Sequence, residues 1–366
     1  MKPRFAIFEE RQKIVETFNP YKATIVDETV NVSEDFYPYV TSITIKDKSN
    51  STDKKSDTCT ITIADSKENF QIPKPATKYK IYLGYSTAFI DGVMPMHLIG
   101  KYVVDTYEVS GRPTVVTLKL SSAPFLKNEQ MNVSAMQEQK ERTHESQTVK
   151  ALVDKIASEH KLKSEVDPEV ANIVLPTIQQ TRESDSNMLY RITKSIGLDF
   201  KLANNSILVM KAGNKTTGES TTNFKIDVRE MNSWTFNRSK RPNYASVKAY
   251  WYDAEAGSDI EEYVGDITYS IGNEKIIGKP LYIIKTPFPN YDTAITSAKA
   301  VLEKARKDGI SFTAKMTGRP DIYAGAKIEL FNLPYEILQN NWKITEIEHQ
   351  ISASSGYNTN ITCEPI

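Results

Sequence analysis

The stretch QTRESDSNMLYRITKSIGLDF, residues Gln180–Phe200, contains a complete helix signal followed by the start of a strand. Ser184 is a residue type that favours the N-cap position, and Gly197 is the type that most easily ends a helix in a left-handed conformation. The apolar residues between them recur at helical spacing and form the stripe Met188, Leu189, Ile192 and Ile196. The stretch therefore predicts a helix that packs by one face and leads directly into a strand.

Segments on both sides of this stretch continue the pattern. Upstream, helical spacing predicts another helix with Ser146 as its N-cap. Downstream, LDFKL and SILVM are typical of a hairpin around Asn204-Asn205, and residues 213–222 are expected to form a loop or domain seam. A third helix is predicted from about Asp292 to Asp308. The buried faces of the outer two helices are Val149, Leu152, Val153 and Ile156, and Ala294, Ala298, Val301, Leu302 and Ala305.

Toward the N-terminus the period of the apolar residues changes to two. This alternation in TSITIKD, DTCTITIAD, KYKIYLGY and TVVTLKL predicts strands with one buried and one wet face, as in an antiparallel sandwich or barrel. The residues expected to point inward are Ile43, Ile45, Cys59, Ile61, Ile63, Tyr79, Ile81, Leu83, Val116, Leu118 and Leu120.

The C-terminal region returns to the same alternation in ISFTAKM, GAKIELF, WKITEIEHQI and YNTNITCEPI. In WKITEIEHQI the alternation set by Trp342 and Ile344 slips by one residue and resumes at Ile347, which indicates a β-bulge. SDTCTITIAD and YNTNITCEPI, near opposite ends of the chain, are both Thr-rich alternating segments. A duplicated barrel explains their likeness, and so does the ordinary composition of any β-sandwich.

Composition limits the classes of function. The 366 residues contain 46 Lys plus Arg and 46 Asp plus Glu, so no net charge attracts the chain to nucleic acid. No apolar run is long enough to cross a membrane, and the N-terminal residues do not form a secretory signal. The two cysteines, Cys59 and Cys363, lie in alternating strands and are expected to be structural thiols.

The chain shows no strong catalytic or metal-binding motif. Its histidines, His97, His144, His160 and His349, lack the spacing of a metal site, and no Gly-rich phosphate loop or nucleophile elbow occurs. His144 and Glu145 are expected in a solvated turn. His349 is expected in a packed or surface strand.

Glu183 and Asp185 are the best candidates for a carboxylate pair of the kind that hydrolyses glycosidic bonds. The simpler interpretation is that both acids stabilise the N-terminus of the following helix. We therefore expect neither to be catalytic.

The Gln180–Phe200 stretch resembles the hub signature shared by the phage late control D family and the hub part of type VI secretion spike proteins. In that signature a Gln and a Glu-Ser-Asp open a helix that carries an Arg, and a Gly and an aromatic residue follow. Asn187-Met188 departs from the aromatic residue usual in the family. The matching positions are Gln180, Glu183, Ser184, Asp185, Leu189, Arg191, Gly197 and Phe200.

The C-terminal region resembles the closing pattern of the same family. That pattern is a Gly-Pro turn, a Gly before a short strand, a Trp strand that ends in His, and a Gly-aromatic strand with Thr. The matching residues are Gly318, Pro320, Gly325, Trp342, His349, Gly356 and Thr359. The resemblance covers most of the chain in order, from about residue 40 to 366.

The resemblance implies a mainly β, α+β fold with two related, tail-tube-like β-barrel domains near the termini and inserted helical and mixed α/β segments. The expected division is an N-terminal barrel (1–130), a helical and hairpin insertion with the Glu-Ser-Asp helix (131–215), a mixed β segment (216–290) and a C-terminal helix with barrel strands (291–366). Because the chain ends after the last barrel strand, the spike is expected to be a separate polypeptide.

The resemblance also implies a structural role without a cofactor or metal. Three chains would form a ring of six barrels around a pore, which would adapt a sixfold tail tube to a threefold spike in a contractile phage tail or tailocin. The implied partners are further copies of the chain, the central spike, the tail tube or tube initiator, the tape-measure protein and baseplate wedge proteins. The implied location is the virion tail baseplate or tailocin particle, with assembly in the host cytoplasm.

The polar side of the terminal strands is a candidate lining of that pore, although plain exposure on the outside is an equal alternative. The residues are Thr58, Thr60, Thr62, Asn358, Asn360 and Thr362. Two other classes of function remain open. Exposed aromatic residues in AYWY, Ala249–Tyr252, would indicate a carbohydrate or receptor binder, and Glu183 with Asp185 would serve a cell-wall hydrolase.

Overall fold

The computed structural model is mainly β, with 56% strand and 17% helix, which confirms the predicted α+β class. It describes residues 2–16, 23–49, 57–86, 96–122, 134–203, 206–211, 214–218, 221–238, 244–253, 257–269, 275–285, 287–288, 290–307 and 309–366. The strands of the N-terminal region are β1 (Lys2–Glu16), β2 (Ala23–Asn31), β3 (Val40–Lys48), β4 (Thr58–Ala64), β5 (Lys78–Ser86), β6 (Met96–Ser110) and β7 (Val115–Ser121).

The middle of the chain contributes short strands and two helices. The strands are β8 (Gln139–His144), β9 (Gln147–Thr148), β10 (Lys163–Val166), β11 (Val174–Leu175), β12 (Ile178–Ser184), β13 (Leu198–Ala203) and β14 (Ser206–Lys211). The helices up to this point are α1 (Ser33–Phe36), α2 (Val149–Glu159) and α3 (Asp185–Ser195).

The remaining elements complete a second β-rich region. The strands are β15 (Asn223–Asp227), β16 (Met231–Arg238), β17 (Ser246–Asp253), β18 (Ser258–Gly265), β19 (Ile267–Tyr269), β20 (Lys275–Ile277), β21 (Leu281–Ile283), β22 (Ile310–Thr317), β23 (Lys327–Phe331), β24 (Trp342–Ser352) and β25 (Gly356–Pro365). The helices are α4 (Tyr291–Lys307) and α5 (Tyr335–Leu338).

Strands from both ends of the chain join in one hydrogen-bonded sheet with the order β16-β22-β25-β24-β3-β4-β7-β6-β5-β1-β2. The two regions meet where β24 pairs antiparallel with β3. β23 pairs with the first residues of β24, and β15 lies beside β23. One apolar core packs on the N-terminal strands and another on the C-terminal strands.

The same four-strand connectivity occurs twice in this sheet. We call β3, β4, β7 and β6 the N-terminal unit, and β16, β22, β25 and β24 the C-terminal unit; each lies side by side in that order. In each unit the first strand pairs with the second, the second with the fourth, and the fourth with the third. The two terminal regions therefore share one topology.

Irregularities in the register recur at equivalent places in the two units. The long third strand has a bulge between Val104 and Thr106 in β6 and between Ile344 and Glu346 in β24. The pairing of the first two strands also shifts register in each unit, near the start of the first strand and the end of the second. The shift in β24 confirms the bulge predicted from the slip in its alternation.

A bend is also repeated before β5 and before β23, the strands that precede the third strand of each unit. Ala76 and Gly325 both have positive φ, 72° and 92°, and their N–H groups donate to the carbonyl oxygens of Val104 and Ile344. Only glycine adopts this conformation without strain, so the C-terminal copy has the better residue.

The likeness between SDTCTITIAD and YNTNITCEPI does not reflect this duplication. The first forms β4, the second strand of its unit, and the other forms β25, the fourth. The counterpart of β25 is β7. Strands with one apolar and one polar face resemble each other by alternation alone, which explains the misleading match.

The predicted strand faces in the terminal regions are confirmed, because every residue expected to point inward from the N-terminal strands is buried. Cys59 and Cys363 are buried and unpaired, and burial raises the pKa of both thiols. They pack as small apolar residues.

The insertion between the two units has its own core, formed mainly by α2, α3 and the strands β13 and β14. Ser184 caps α3 by accepting a hydrogen bond from the Asn187 N–H, as predicted. Ser146 does not cap α2; Thr148 does, because Gln147–Thr148 is still extended and pairs with β11. The Ser146 hydroxyl donates to the Leu175 carbonyl instead.

Helix α4 packs against β17 and β18 in a further small core with Val247, Ala249 and Phe288. Its predicted face is confirmed: Ala294, Ala298, Leu302 and Ala305 are buried and Val301 is half-buried. None of the helices in the described ranges combines the length and apolar character that a bilayer crossing needs.

Several sequence predictions fall outside the described residues. These are the turn at Asn204-Asn205, parts of the 213–222 loop and the expected domain boundary near residue 130. The division of the chain at residues 130, 215 and 290 stays a prediction.

Candidate functional site

The buried carboxylate of Asp185 is the centre of an ionic network. It accepts hydrogen bonds from Lys140 Nζ at 2.6 Å, Arg142 Nη2 at 2.7 Å, His160 Nε2 at 2.7 Å and Gln180 Nε2 at 2.8 Å. Burial alone would raise its pKa, but the hydrogen bonds from His160, Lys140 and Gln180 and the charge of Arg142 hold the pKa of Asp185 well below its usual range. Asp185 is therefore a permanently charged anchor.

The network joins elements that are distant in sequence. Lys140 and Arg142 come from β8, Asp185 begins α3, and Glu159 lies at the end of α2. Glu159 binds the Arg142 guanidinium through both oxygens, at 3.0 and 2.8 Å. Because one cluster holds a strand pair and two helices, it fixes the geometry of the insertion.

Gln180 of the signature completes this network through its amide. Its Nε2 also donates to the Glu183 carbonyl, and its Oε1 accepts from Arg142 Nε at 2.8 Å and lies 3.3 Å from His144 Nε2. His144 is buried at the end of β8 whereas Glu145 is exposed after it, so the predicted solvated turn at His144-Glu145 is wrong for the histidine. The pairing of Ile178 with His144 extends β8 through the histidine and turns its side chain inward.

Glu183 lies outside the network. The Glu183 carboxylate forms a bidentate pair with Arg191 Nε and Nη2, and the shortest of these distances is 2.6 Å. The Arg191 side chain is about half exposed. Of the two acids, Asp185 starts α3 as expected, whereas Glu183 is still in β12. Asp185 holds no proton to donate and Glu183 is engaged by a cation, so the pair is poorly suited to general acid catalysis.

Three potential metal ligands converge at the same place. Ligand atoms of Glu159, His160 and Asp185 lie within 4.8 Å of one another. However, Lys140 and Arg142 already bind these carboxylates, and two fixed cations at the site oppose the binding of a further one. The cluster is ionic in character.

The other residues of the signature pack or shape the chain. Leu189 and Phe200 are buried in the core of the insertion. Gly197 has φ 75°, and a Cβ at this position would lie 3.0 Å from the Ala300 Cβ. Glycine is therefore needed both for the helix end and for the contact of α3 with α4.

In the C-terminal signature, Gly318, Tyr357 and His349 form one buried group. A Cβ on Gly318 would lie 2.1 Å from the Tyr357 ring. The Tyr357 hydroxyl lies 3.0 Å from His349 Nδ1, and Thr359 Oγ1 lies 3.2 Å from the same atom. Burial lowers the pKa of His349 to about 4, so this histidine is neutral at pH 7.

The rest of the C-terminal signature fixes turns and strand ends. Trp342 is buried and its Nε1 donates to the Ile337 carbonyl at 2.9 Å. Gly356 has φ 69° in the hairpin that joins β24 to β25, and Thr359 Oγ1 accepts the Arg319 N–H. Pro320 lies in the turn after β22.

A second ionic cluster joins the insertion to the main sheet. Lys201 on β13 binds Asp47 at 2.6 Å and Asp57 at 2.9 Å, while Asp199 on the same strand binds Lys343 of β24 at 2.8 Å. We call these five residues the strand joint. Burial alone would lower the pKa of Lys201, but the charges of Asp47 and Asp57 raise it above its ordinary value.

Asp57 is the member of the strand joint whose carboxyl pKa is raised. Burial and the negative charge of Asp47 raise the pKa of Asp57 to about 6, although Lys201 opposes the shift. No local pattern in the sequence indicates this joint, because its partners are separated by up to 154 positions.

The six candidate lumen residues lie on one polar face of the main sheet, opposite the two apolar cores. Thr58 is exposed, and Thr60, Thr62, Asn360 and Thr362 are half-buried. Asn358 is buried and donates to the Ser355 carbonyl. Hydrogen-bonded register extends this face across both units. It contains Ser42, Thr44, Lys46, Lys48, Thr106, Glu108, Thr117, Lys119, Ser233, Thr235, Asn237, Thr313, Lys315, Thr317, Glu346, Glu348 and Gln350.

Charges on this polar face are mostly paired. Lys46 binds Glu348 at 2.9 Å across the β3–β24 junction, and Lys48 lies 3.8 Å from Glu346. In the N-terminal unit, Lys119 and Glu108 lie 3.5 Å apart. The face therefore has a polar and nearly neutral surface.

Comparison with known proteins matches residues 133–355, more than half of the chain, to the family described as phage tail baseplate hub (GPD). The chain belongs to this family. The match includes the whole Asp185 network and most of the C-terminal unit, and it confirms the resemblance inferred from the two signatures. A probable baseplate hub protein of Escherichia phage P2 is 24% identical over 297 residues, which cover 72% of this chain and 75% of that relative.

Solved structures with this fold extend over nearly the whole chain. The tail protein from Neisseria meningitidis MC58 has a TM-score of 0.61 at 11% identity and covers 98% of this chain and 96% of its own. The 43 kDa tail protein of prophage MuSo2 from Shewanella oneidensis has a TM-score of 0.60 at 12% identity, with 98% and 97% covered. At these identities the likeness concerns the fold alone.

Proposed function

We propose that this chain is a structural baseplate hub that works as a ring of three copies and adapts a sixfold tail tube to a threefold central spike. The observation that carries the proposal is the duplicated four-strand unit. Two equivalent units in each chain place six equivalent units in a ring of three. Such a ring presents sixfold geometry to one partner and threefold geometry to another.

The proposed partners follow from this geometry. The tail tube, or its initiator, contacts the face on which all six units are equivalent, and the spike contacts the threefold face. The tape-measure protein lies in the pore, and wedge proteins surround the ring. The hub is assembled in the host cytoplasm and acts in the tail baseplate of a phage or tailocin particle.

We propose that the polar face of the main sheet lines the pore. Its support is the contrast between the two sides of the sheet, since one side is covered by apolar cores and the other has polar, mostly paired side chains. A nearly neutral surface without a cationic field lets DNA or the tape-measure protein pass without tight binding.

The ring is tested by the mass of the purified protein in solution, alone and co-expressed with the cognate spike protein. We expect a mass of three copies, with one spike trimer bound in the second sample. A protein that remains a monomer in both samples, at concentrations well above those of assembly, contradicts the proposal.

The alternatives have weaker support. In AYWY, Tyr250 and Trp251 are half-buried and Trp251 packs near Tyr291. Tyr252, at 52% exposure, is the one aromatic residue of that run that is exposed. A single exposed ring is a poor platform for sugar stacking. Hydrolysis by Glu183 and Asp185 is disfavoured because Asp185 is held ionised and Glu183 is paired with Arg191.

A further inference from the structure

A cleft lies beside the N-terminal core, between α1 and the loop 65–77 that leads from β4 to β5. We call it the N-terminal cleft. Its volume is about 620 Å³, which is in the range of ligand pockets. The ring centroid of Phe70 lies 5.3 Å from that of Phe36 and 5.6 Å from that of Tyr39. Tyr39 and Phe70 are half-buried, so part of their ring surface is open to the cleft.

Tyr79 also lines this cleft and contributes a polar atom. The residue is only 3% exposed, yet its hydroxyl has no hydrogen-bond partner among the residues that the structure describes. Burial and the negative charge of Glu9 raise the pKa of Tyr79, so the hydroxyl stays protonated. Because buried tyrosine hydroxyls usually find a partner, the free hydroxyl indicates that a ligand supplies one.

Two carboxylates of α1 line the cleft and are unpaired. Glu34 and Asp35 are exposed, and neither forms an ion pair within the described ranges. Two cations line the cleft as well, but Arg11 is held by Glu9 at 2.9 Å and Lys74 binds neither acid of α1. The cleft therefore combines open aromatic surface with unpaired negative charge.

The C-terminal unit contains an arginine at the corresponding place. There the second strand is followed by the loop 318–326, and the first strand is preceded by the helical turn Val228–Glu230. Arg319 of this loop binds Glu230 of this turn at 2.9 Å, and its guanidinium is also held by Asp321 at 2.8 Å. A guanidinium thus joins the loop to the turn.

The N-terminal unit has the acids of this arrangement without the arginine. Its loop 65–77 occupies the same position between the second strand and the following bend, and α1 precedes the first strand as the helical turn does. The loop contains no arginine. Neither of its lysines, Lys67 and Lys74, forms an ion pair with a described residue. The cation that would complete the arrangement must therefore come from another molecule.

We propose that the N-terminal cleft binds an arginine side chain of a partner protein. The guanidinium pairs with Glu34 and Asp35 and stacks on the half-buried aromatic rings, while one of its N–H groups donates to the Tyr79 hydroxyl. Arginine suits the cleft better than lysine because a guanidinium is planar, donates from a fixed fork and stacks on aromatic faces. The whole cleft belongs to one chain, so this binding is independent of the proposed ring.

The test measures binding of a short peptide to the full-length hub by saturation-transfer NMR. The peptide acetyl-Gly-Arg-Pro-amide copies the chain's own segment 318–320. We expect binding that saturates at about millimolar concentration, because so small a ligand makes few contacts. A citrulline version keeps the shape without the charge and should not bind detectably. Equal binding of the citrulline version overturns the proposal.

A lysine version of the peptide tests the choice of guanidinium. It keeps the charge but loses the fork and the flat face, so we expect binding at least about fivefold weaker than that of the arginine peptide. Equal affinity of the two peptides contradicts the assignment to arginine.

The double variant Glu34→Gln with Asp35→Asn tests the site on the protein. It removes both charges and should weaken binding of the arginine peptide at least about tenfold. The matched control is Glu336→Gln, an exposed acid in the first turn of α5, which is also a four-residue helix. The control should bind as the wild type does. Unchanged affinity of the double variant, or an equal loss in the control, overturns the proposal.

Tyr79→Phe tests the buried hydroxyl by itself. The variant keeps the ring and its packing, so the melting temperature should not fall, since the hydroxyl has no partner in the described part of the chain. Binding of the arginine peptide should weaken at least about threefold through the lost hydrogen bond. A lower melting temperature with unchanged binding would show a structural role and contradict the proposed one.

Discussion

At the scale of single residues, one buried carboxylate, Asp185, holds the insertion together through partly exposed cations and buried polar side chains. Asp185 accepts bonds from four side chains, and Gln180 orients its amide between Asp185 and Arg142. A residue that completes such a network is costly to replace, because its former partners stay buried without compensation.

The first prediction concerns Asp185→Asn. The change keeps the shape of the side chain but removes the buried charge, while Glu159 still pairs with Lys140 and Arg142, so we expect the free energy of unfolding to fall by about 1.5–3 kcal/mol. Urea unfolding at pH 7 measures the loss. The control is Glu183→Gln, which removes a part-exposed pair with Arg191 and should cost less than about 1 kcal/mol. Equal losses would show that the network has no special role.

The second prediction concerns His349 and acid stability. Its pKa is lowered to about 4 in the folded protein, against about 6.5 in an unfolded chain, so only the unfolded state takes up the proton between these values. The stability it contributes is complete above pH 6.5 and is lost as the pH falls toward 4. The loss amounts to about 3 kcal/mol at about 1.4 kcal/mol per pKa unit.

Comparison with His349→Gln isolates this effect from that of the carboxylates. Glutamine does not titrate, so the unfolding free energy of the variant should change less between pH 6.5 and 4 than that of the wild type. Parallel pH profiles for the two proteins would contradict the assignment.

At the scale of elements, the strand joint connects β13 of the insertion to β3 and β24 of the main sheet. It lies beside the β24–β3 junction, where the two units meet. Two side chains of opposite charge on one strand, Asp199 and Lys201, bind partners of opposite charge on two others. This arrangement fixes both the position and the direction of β13.

The third prediction is that Lys201→Met destabilises the protein more at pH 8 than at pH 5. Without the cation, Asp47 and Asp57 must share a buried site, and the pKa of Asp57 is already raised to about 6. A raised carboxyl pKa means that stability present at low pH is lost as the pH rises through this value. We expect a loss of about 3 kcal/mol at pH 8 and a smaller one at pH 5, measured by denaturant unfolding.

The control for the joint is Lys211→Met on the neighbouring strand β14. Lys211 forms an exposed pair with Glu169 at 3.4 Å, so its removal should have little effect at either pH. A Lys201→Met loss that is independent of pH would contradict the assigned coupling to Asp57.

At the scale of the whole molecule, the two sides of the main sheet have different structural roles. Its apolar side holds the two cores, and its polar side continues across the junction of the units without interruption. In the ring that we propose, this polar side would face the pore.

The fourth prediction tests that surface with Thr60→Cys labelled by a biotin on a short linker. Streptavidin is too bulky to enter a narrow pore, so we expect it to bind the dissociated chain and not the intact ring. Ser158→Cys, at an exposed position on α2, should bind streptavidin in both states. If streptavidin shifts the mobility of the intact ring labelled at Thr60→Cys, this face lies on the outside of the ring. That result would contradict the proposed pore lining.

Local patterns in the sequence determined the strands and helices, the cap at Ser184, the bulge in β24 and membership of the baseplate hub family. Each of these depends on residues close in the chain, through periodicity, capping or turn geometry. The N-cap of α2 and the turn at His144 were mispredicted because pairing with β11 and β12 extends the chain there.

Only the tertiary structure decided which charges meet and which strands are equivalent. Asp185 finds partners up to 45 positions away, Lys201 finds Asp47 154 positions away, and β25 corresponds to β7 instead of to the similar sequence of β4. Alternation specifies which face of a strand is buried, but it does not specify the neighbour. The neighbour is chosen by the whole sheet, because register, bulges and long-range ion pairs must be satisfied together.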